Sequence, residues 1–139
     1  MVMAKPPSIL TAFNDHFIEF VSDIHSVFPD DVDILSAKNA FITIRKMNPK
    51  LTLWGWEHHV VSKYRDLIDE GDINFFLEKD YFEDVNDRSD SKRIIDAINR
   101  LREPVRNMGD KNRAKVMVYI QNLTKLMDIY NYGGTPHAP

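Results

Sequence analysis

Two adjacent histidines, His58 and His59, are the residues of this sequence best suited by type to metal binding or proton transfer. Adjacent residues of a helix point about 100° apart, so this pair is not placed to bind one metal ion as histidines four residues apart are. Glu57 precedes the pair, but the His-Glu-x-x-His pattern is absent. We interpret both histidines as solvated or core-edge side chains, and keep as a minor alternative a small hydrolase that pairs one of them with a carboxylate.

Acidic residues are the second candidate for chemistry. Asp30, Asp31 and Asp33 suggest a calcium loop, but such a loop needs a central Gly and a Glu at its twelfth position, and both are missing. Capping of a helix explains these aspartates better. Residues 65–90 carry ten acidic against three basic side chains, and we interpret them as a solvated face rather than a catalytic acid pair.

The composition excludes several function classes. The 139 residues contain no Cys, which excludes disulfide scaffolds, thiolate zinc sites and Cys nucleophiles. There is no Gly-rich phosphate loop and no Gly-x-Ser-x-Gly motif. The formal net charge of −3 argues against general coating of nucleic acid. We therefore predict no catalytic residue, no cofactor, no metal site and no small-molecule substrate, and expect a non-enzymatic protein.

A basic segment, residues 92–115, is the first candidate binding feature, with eight basic against three acidic side chains. Aromatic residues are not interleaved with these charges, so stacking of nucleic-acid bases is poorly supported. Three interpretations stay open: an ordinary surface or pairing within the chain with the acidic residues 65–90, contact with an acidic protein surface and, least favoured, nucleic acid. The basic side chains predicted to bind a partner are Arg93, Arg100, Arg102, Arg106, Lys111 and Arg113.

Neighbouring aromatic residues are the second candidate binding feature. On a helix, Trp54 and Trp56 point about 200° apart, so we predict that one indole is buried and the other exposed. Phe75-Phe76 and Tyr81-Phe82 pose the same question, and a large aromatic core and a partner-binding patch both stay open. The predicted partner-binding aromatics are Trp54, Trp56, Phe75, Phe76, Tyr81 and Phe82.

Apolar periodicity places these residues in an all-α domain, a compact bundle of five to six helices over residues 8–130, because no segment alternates as a strand does. An N-terminal arm (1–7), a polar linker near 83–90 and a mobile tail (131–139) complete the predicted organisation. The predicted helices run from about Ser8 to Phe28, Asp31 to Asn48, Leu51 to Glu70, Ile73 to Asp80, Ser89 or Ser91 to a kink or break at Pro104, and Asp110 to Tyr130.

The same pattern predicts helix ends and core faces. Ser8 and Asp30 or Asp31 are expected to cap helix N-termini, and Gly71 is expected to end a helix in the left-handed conformation. The second helix is expected to bury Leu35, Phe41, Ile42 and Met47. The last helix is expected to bury Ala114, Met117, Ile120, Leu123, Met127 and Tyr130.

Six short strings of residues occur in order over most of residues 13–130. They are Phe13-Asn14 with Phe17 and Phe20, Phe28-Pro29-Asp30-Asp31-Val32-Asp33, Lys46-Met47-Asn48-Pro49, Gly71-Asp72-Ile73-Asn74-Phe75-Phe76, Lys79-Asp80-Tyr81 and Tyr119-Ile120-Gln121-Asn122-Leu123-Thr124-Lys125-Leu126. In order and spacing they resemble a family of small uncharacterised proteins from nucleocytoplasmic large double-stranded DNA viruses, including those of algae. The resemblance implies a viral origin and brings no catalytic residues with it.

Viruses of this kind build large capsids in which small internal proteins join the major capsomers. We therefore expect a virion structural protein: a minor capsid component of the inner capsid shell, present in the host cytoplasm during assembly, that bridges other capsid proteins. Oppositely charged halves also favour head-to-tail contact between copies, and so a homo-oligomer. The alternative is a non-virion adaptor or regulatory protein that binds a protein or nucleic-acid complex through residues 92–115. No membrane span is expected.

Overall fold

The computed structural model describes residues 8–78 and 90–132, which form six helices and no strand, as the sequence predicted. The predicted arm, most of the predicted linker, and Tyr81 and Phe82 lie outside these residues, as does the predicted tail from residue 133. Within the described ranges, no helix has the length and apolarity needed to cross a membrane. The helices are α1 (Ile9–Val27), α2 (Val32–Met47), α3 (Leu51–Trp56, a π-helical turn Glu57–Val61, and Ser62–Glu70), α4 (Asn74–Glu78), α5 (Asp90–Arg106) and α6 (Asp110–Tyr132).

The helix ends follow local chemistry that the sequence predicts. Ser8 Oγ accepts a hydrogen bond from the Thr11 N–H at 3.0 Å at the start of α1. Asp31 Oδ1 accepts two hydrogen bonds from N–H groups in the first turn of α2, at 2.8 and 3.1 Å. Gly71 follows α3 with φ +78°, a conformation that glycine adopts without steric cost. All three caps are confirmed.

The last two helices settle the choice between a kink and a break at Pro104 against a break, and place one helix end slightly later than predicted. α5 continues through Pro104 to Arg106, so the proline does not break the helix. Pro104 lies in the last turn, where its missing N–H removes a single helical hydrogen bond and few residues follow it. α6 extends two residues beyond the predicted end, to Tyr132.

The core lies among four helices that follow one another side by side: α6, α1, α2 and α5. α3 contacts all four of them. Gly55 lets α3 approach α5 closely, since a Cβ at this position would lie 2.9 Å from Ile94 Cγ2. The largest fully buried aromatic side chains are Trp56, Phe13, Phe17, Phe20, Phe41 and Phe76.

The buried face of α2 differs from the predicted one. Leu35 is 42% exposed and Met47 is 66% exposed, so neither is a core residue. α2 carries apolar side chains on both faces, and apolar spacing alone does not select the face that turns inward. Ala114 and Tyr130 of α6 are likewise exposed rather than buried. The core residues of α2 are Ile34, Ala37, Phe41 and Ile44.

A π-helical turn at Glu57–Val61 interrupts α3, and the sequence does not predict it. A π turn holds one more residue than an α-helical turn, so it rotates the following residues around the helix axis. Val60 and Val61, although adjacent, are both buried. Beyond the turn, Arg65 forms a two-pronged ion pair with Asp128 of α6, with Nη1–Oδ2 at 3.1 Å and Nη2–Oδ1 at 2.7 Å. This pair fixes the second half of α3 against α6.

Candidate protein-binding surfaces

The residues first considered for chemistry lie on different helices. Asp31 caps α2, which confirms helix capping as its role. His58 is exposed and His59 half-buried, both within the π turn of α3. In the part of the chain that the structure describes, no three His, Asp or Glu side chains are grouped to hold a metal ion.

Three of the aromatic residues predicted to bind a partner lie in the core. Trp56 is fully buried, packs edge-on against Phe17 with ring centroids 5.6 Å apart, and donates from Nε1 to Thr124 Oγ1 at 3.2 Å. Phe75 and Phe76 are also buried. Burial removes these three rings from any surface that a partner contacts in this fold, so we remove them from the predicted binding set.

Trp54 is the described member of the predicted aromatic set that reaches the surface. Its side chain is 42% exposed, whereas Trp56 is fully buried, so the prediction of one buried and one exposed indole is confirmed. The Trp54 ring lies 4.5 Å from the His58 ring and 5.9 Å from the His59 ring, between centroids. Lys50, one turn before Trp54, is exposed too. Lys50, Trp54 and His58 together form the Trp54 surface.

The basic segment 92–115 does not form one continuous surface. A turn at residues 107–109 divides it between the end of α5 and the start of α6. Of the six basic side chains predicted to bind a partner, Arg93 and Lys111 are exposed, while Arg102 is half-buried. The segment therefore presents its charges on two helices rather than along one.

Ion pairs within the chain engage three of the predicted arginines. These arginines therefore pair within the chain, but the predicted partners, the acidic residues 65–90, are wrong for them, because their partners are Asp33 and nearby acids of their own helices. Arg106 also donates to the carbonyl of Leu77. The three sets are Arg100 with Asp96 (Nε–Oδ2 3.2 Å) and Asp33 (Nη1–Oδ1 3.0 Å), Arg106 with Glu103 (Nη1–Oε2 2.6 Å), and Arg113 with Asp110 (Nη2–Oδ1 2.7 Å).

The outer face of α6 carries three lysines that have no such partners. Lys111, Lys115 and Lys125 are exposed, and none of them makes an ion pair with another described residue. Val118, which is 53% exposed, lies between them on the same side of the helix. These four residues form the α6 lysine surface.

The Trp54 surface and the α6 lysine surface face in opposite directions. Trp56 points from α3 toward Thr124 on the inner side of α6. Trp54 points about 200° away from Trp56 and therefore away from α6. The lysine surface lies on the outer side of α6, opposite its buried residues Ile120 and Met127. The core thus separates the two surfaces.

Tyr119 on α6 lies between two carboxylates of α1. Its hydroxyl donates to Glu19 Oε1 at 3.0 Å and to Asp23 Oδ2, and since a phenol has one proton it serves one carboxylate at a time. Tyr119 and Asp23 also line a cavity of about 150 Å³ between the two helices. Burial, followed by the hydrogen bonds to Asp23 and Glu19, raises the pKa of Tyr119 above its ordinary value.

The raised pKa of Tyr119 predicts that stability falls in alkaline solution. An unfolded chain releases the phenol proton above its ordinary pKa of about 10, whereas the folded chain keeps the Tyr119 proton to higher pH. The unfolded state then binds fewer protons, so this contribution to the free energy of unfolding is complete below about pH 10 and is lost as the pH rises further. We expect Tyr119→Phe to weaken this decline, measured by urea unfolding across the alkaline range. An identical decline in the variant contradicts the assignment.

Three residues of the α6 lysine surface, Lys115, Val118 and Lys125, are missing from the set that the sequence predicted. Their spacing from Lys111 and from one another in steps of three, four and seven residues is the signal that places them on one helix face. His58 was considered as a metal ligand and not as a neighbour of Trp54, because the two rings meet only once the helix is built. No family model, curated protein or solved structure matches the chain.

Proposed function

We propose that this chain is a non-enzymatic structural protein of a virion, a minor capsid component that bridges other capsid proteins. The observation that carries the proposal is a pair of exposed surfaces, around Trp54 and on α6, that face away from each other across the core. A bridging protein needs two separate contact surfaces with a rigid body between them. The viral setting comes from the sequence strings that resemble proteins of large double-stranded DNA viruses.

The two surfaces offer different kinds of contact. A partly exposed Trp supplies a large apolar area with little conformational freedom to lose, and Trp is enriched among the residues that dominate binding energy at interfaces. Uncompensated lysines instead attract an acidic surface and orient it before contact. A bridge with one aromatic and one positively charged surface therefore suits two partner surfaces of different chemistry.

The arginines of the basic segment 92–115 give the adaptor alternative little support, whereas its lysines Lys111 and Lys115 are available to either kind of partner. Arg100, Arg106 and Arg113 already pair with carboxylates of this chain. A partner would have to replace those pairs, and exposed ion pairs exchanged for one another give little net free energy.

Purified virus particles provide the test of the proposed function. Quantitative mass spectrometry of protease-treated particles is expected to find the chain protected, at a copy number that matches a symmetry position of the capsid. Trp54→Ala is expected to reduce incorporation by about tenfold or more, because truncating a central interface Trp costs about 2 kcal/mol or more.

Leu35→Ala is the matched control, because Leu35 and Trp54 are each 42% exposed and lie on different helices. This variant is expected to enter particles at the wild-type level. Absence of the chain from particles, with abundant protein in the infected-cell lysate, would overturn the capsid proposal and favour the adaptor. Normal incorporation of Trp54→Ala would exclude the Trp54 surface from the bridge.

A further inference from the structure

The lysines of α6 belong to a longer row of residues along its outer face. Successive members are four, three, four, three and four residues apart, which keeps them on one side of a helix and is the spacing found where two helices pack along their length. The row is Lys111, Lys115, Val118, Asn122, Lys125 and Ile129.

This row combines positive charge with apolar side chains. It contains three lysines and no acidic residue. Val118 is 53% exposed and Ile129 half-buried, so two aliphatic side chains are accessible between and beyond the lysines. A phosphate backbone gains nothing from aliphatic side chains, whereas a protein surface does. The composition therefore favours a protein partner.

A second α6 helix does not complement the row. In a parallel pair the same row would place lysine against lysine, which is repulsive. In an antiparallel pair with the two rows fully overlapping, Lys111 would lie against Ile129 and Lys115 against Lys125, so one ammonium group would be buried against an apolar side chain and two like charges would oppose each other. The missing component is negative charge at lysine spacing, and it has to come from a different sequence.

We propose that the outer face of α6 docks an acidic amphipathic helix of a partner protein. Two carboxylates one turn apart, about 6 Å along the axis, oppose Lys111 and Lys115, and a third lies about 15 Å further on, opposite Lys125. Aliphatic side chains of the partner helix cover Val118 and Ile129. This inference deepens the proposed function, because it names the partner chemistry of one of the two surfaces.

The rotation of α6 that exposes this row is fixed by contacts on its neighbouring side. Asp128 is held by Arg65, and Gln121 Nε2 donates to the Ile68 carbonyl at 3.0 Å. Tyr119 is held by α1 on the other side. With both sides engaged, α6 presents its lysines without having to rotate, so the free chain is already in the binding conformation.

Binding of a synthetic helical peptide to the purified chain tests this inference. The probe is an alanine-rich peptide as long as residues 111–132, with Glu opposite the three lysines and Leu opposite Val118 and Ile129. Fluorescence anisotropy is expected to show binding that weakens with added salt. A control peptide with Gln in place of each Glu is expected to bind at least about tenfold more weakly.

Two triple variants with the same charge change locate the site. Lys111→Glu, Lys115→Glu and Lys125→Glu together are expected to weaken binding of the acidic peptide by at least about tenfold. The control combines Lys38→Glu, Lys46→Glu and Lys92→Glu, which lie on α2 and α5, and is expected to bind as wild type. All three proteins are first shown to have the same helical circular dichroism and unfolding transition.

Four results would overturn the inference. They are equal binding of the Glu and Gln peptides, equal weakening by both triple variants, tighter binding of duplex DNA than of the acidic peptide at the same lysines, and a wild-type dimer that the α6 triple variant dissociates in sedimentation. The assay needs no virus particle, so its failure is distinguishable from failure of the capsid proposal. If the chain is protected in particles but does not bind the acidic peptide, the acidic-helix inference is contradicted and the capsid proposal is not.

Discussion

Replacing Trp56 with alanine is expected to lower the free energy of unfolding by about 3–5 kcal/mol. Trp56 is fully buried, packs on Phe17 and donates a hydrogen bond to Thr124, so its removal leaves a large cavity and loses a buried hydrogen bond. Urea unfolding followed by far-ultraviolet circular dichroism measures the change, since the variant also loses a fluorophore.

Trp54→Ala is the matched control for this prediction, because it removes the same side chain two residues earlier. Trp54 is 42% exposed, and its ring lies beside the imidazole rings of His58 and His59 in the π turn. Its removal is expected to change the free energy of unfolding by no more than about 0.5 kcal/mol. A loss as large as that of Trp56→Ala would mean that Trp54 is a core residue, and would remove the basis of the Trp54 surface.

Replacing Arg65 with methionine is expected to lower the free energy of unfolding by about 3–5 kcal/mol at neutral pH. The Asp128 side chain is 2% exposed, so loss of Arg65 leaves a buried carboxylate without its cationic partner. The hydrogen bond to Asp128 is also the main reason that the pKa of Arg65 is raised. Chemical unfolding of the purified variant measures the effect.

Arg45→Met tests whether the loss of stability comes from burial of the acidic partner or from removal of an arginine as such. Arg45 pairs with Asp15 at 2.7 Å, and the two arginine side chains are equally exposed, at 30%. Asp15, however, is 61% exposed, so water replaces the lost partner and the expected cost is below about 1 kcal/mol. Adding Asp128→Asn to Arg65→Met is expected to recover part of the stability, because it removes the buried charge that Arg65 paired with. Equal costs for the two arginine changes would contradict this explanation.

These two expectations concern function as well as stability. Trp56 orients α3 so that Trp54 faces outward, and Arg65 holds the rotation of α6 that turns its lysines outward. A variant that loosens either contact is expected to disturb one binding surface without changing any residue in it. Surface variants such as Trp54→Ala are expected to affect the proposed binding and not stability, which makes the two classes separable by unfolding measurements.

The local features of this protein could be predicted from the order of its residues. The all-α class follows from helical periodicity, and Ser8, Asp31 and Gly71 mark helix ends because each satisfies or terminates backbone hydrogen bonds within a few residues. The opposite placement of Trp54 and Trp56 follows from helix geometry alone. These properties depend on neighbours in the chain, so the order of residue types is sufficient to predict them.

The faces that turn inward, and the charged side chains that lack an ion-pair partner among the described residues, depend instead on how the helices pack. Ile34 rather than Leu35 enters the core because α1 and α5 pack on that side of α2, and α2 has apolar residues on both. Arg100 meets Asp33 across 67 positions of sequence, whereas Lys111 on the outer side of α6 meets no carboxylate of the described residues. Such contacts join residues far apart in the chain, and their geometry exists only when the helices have packed.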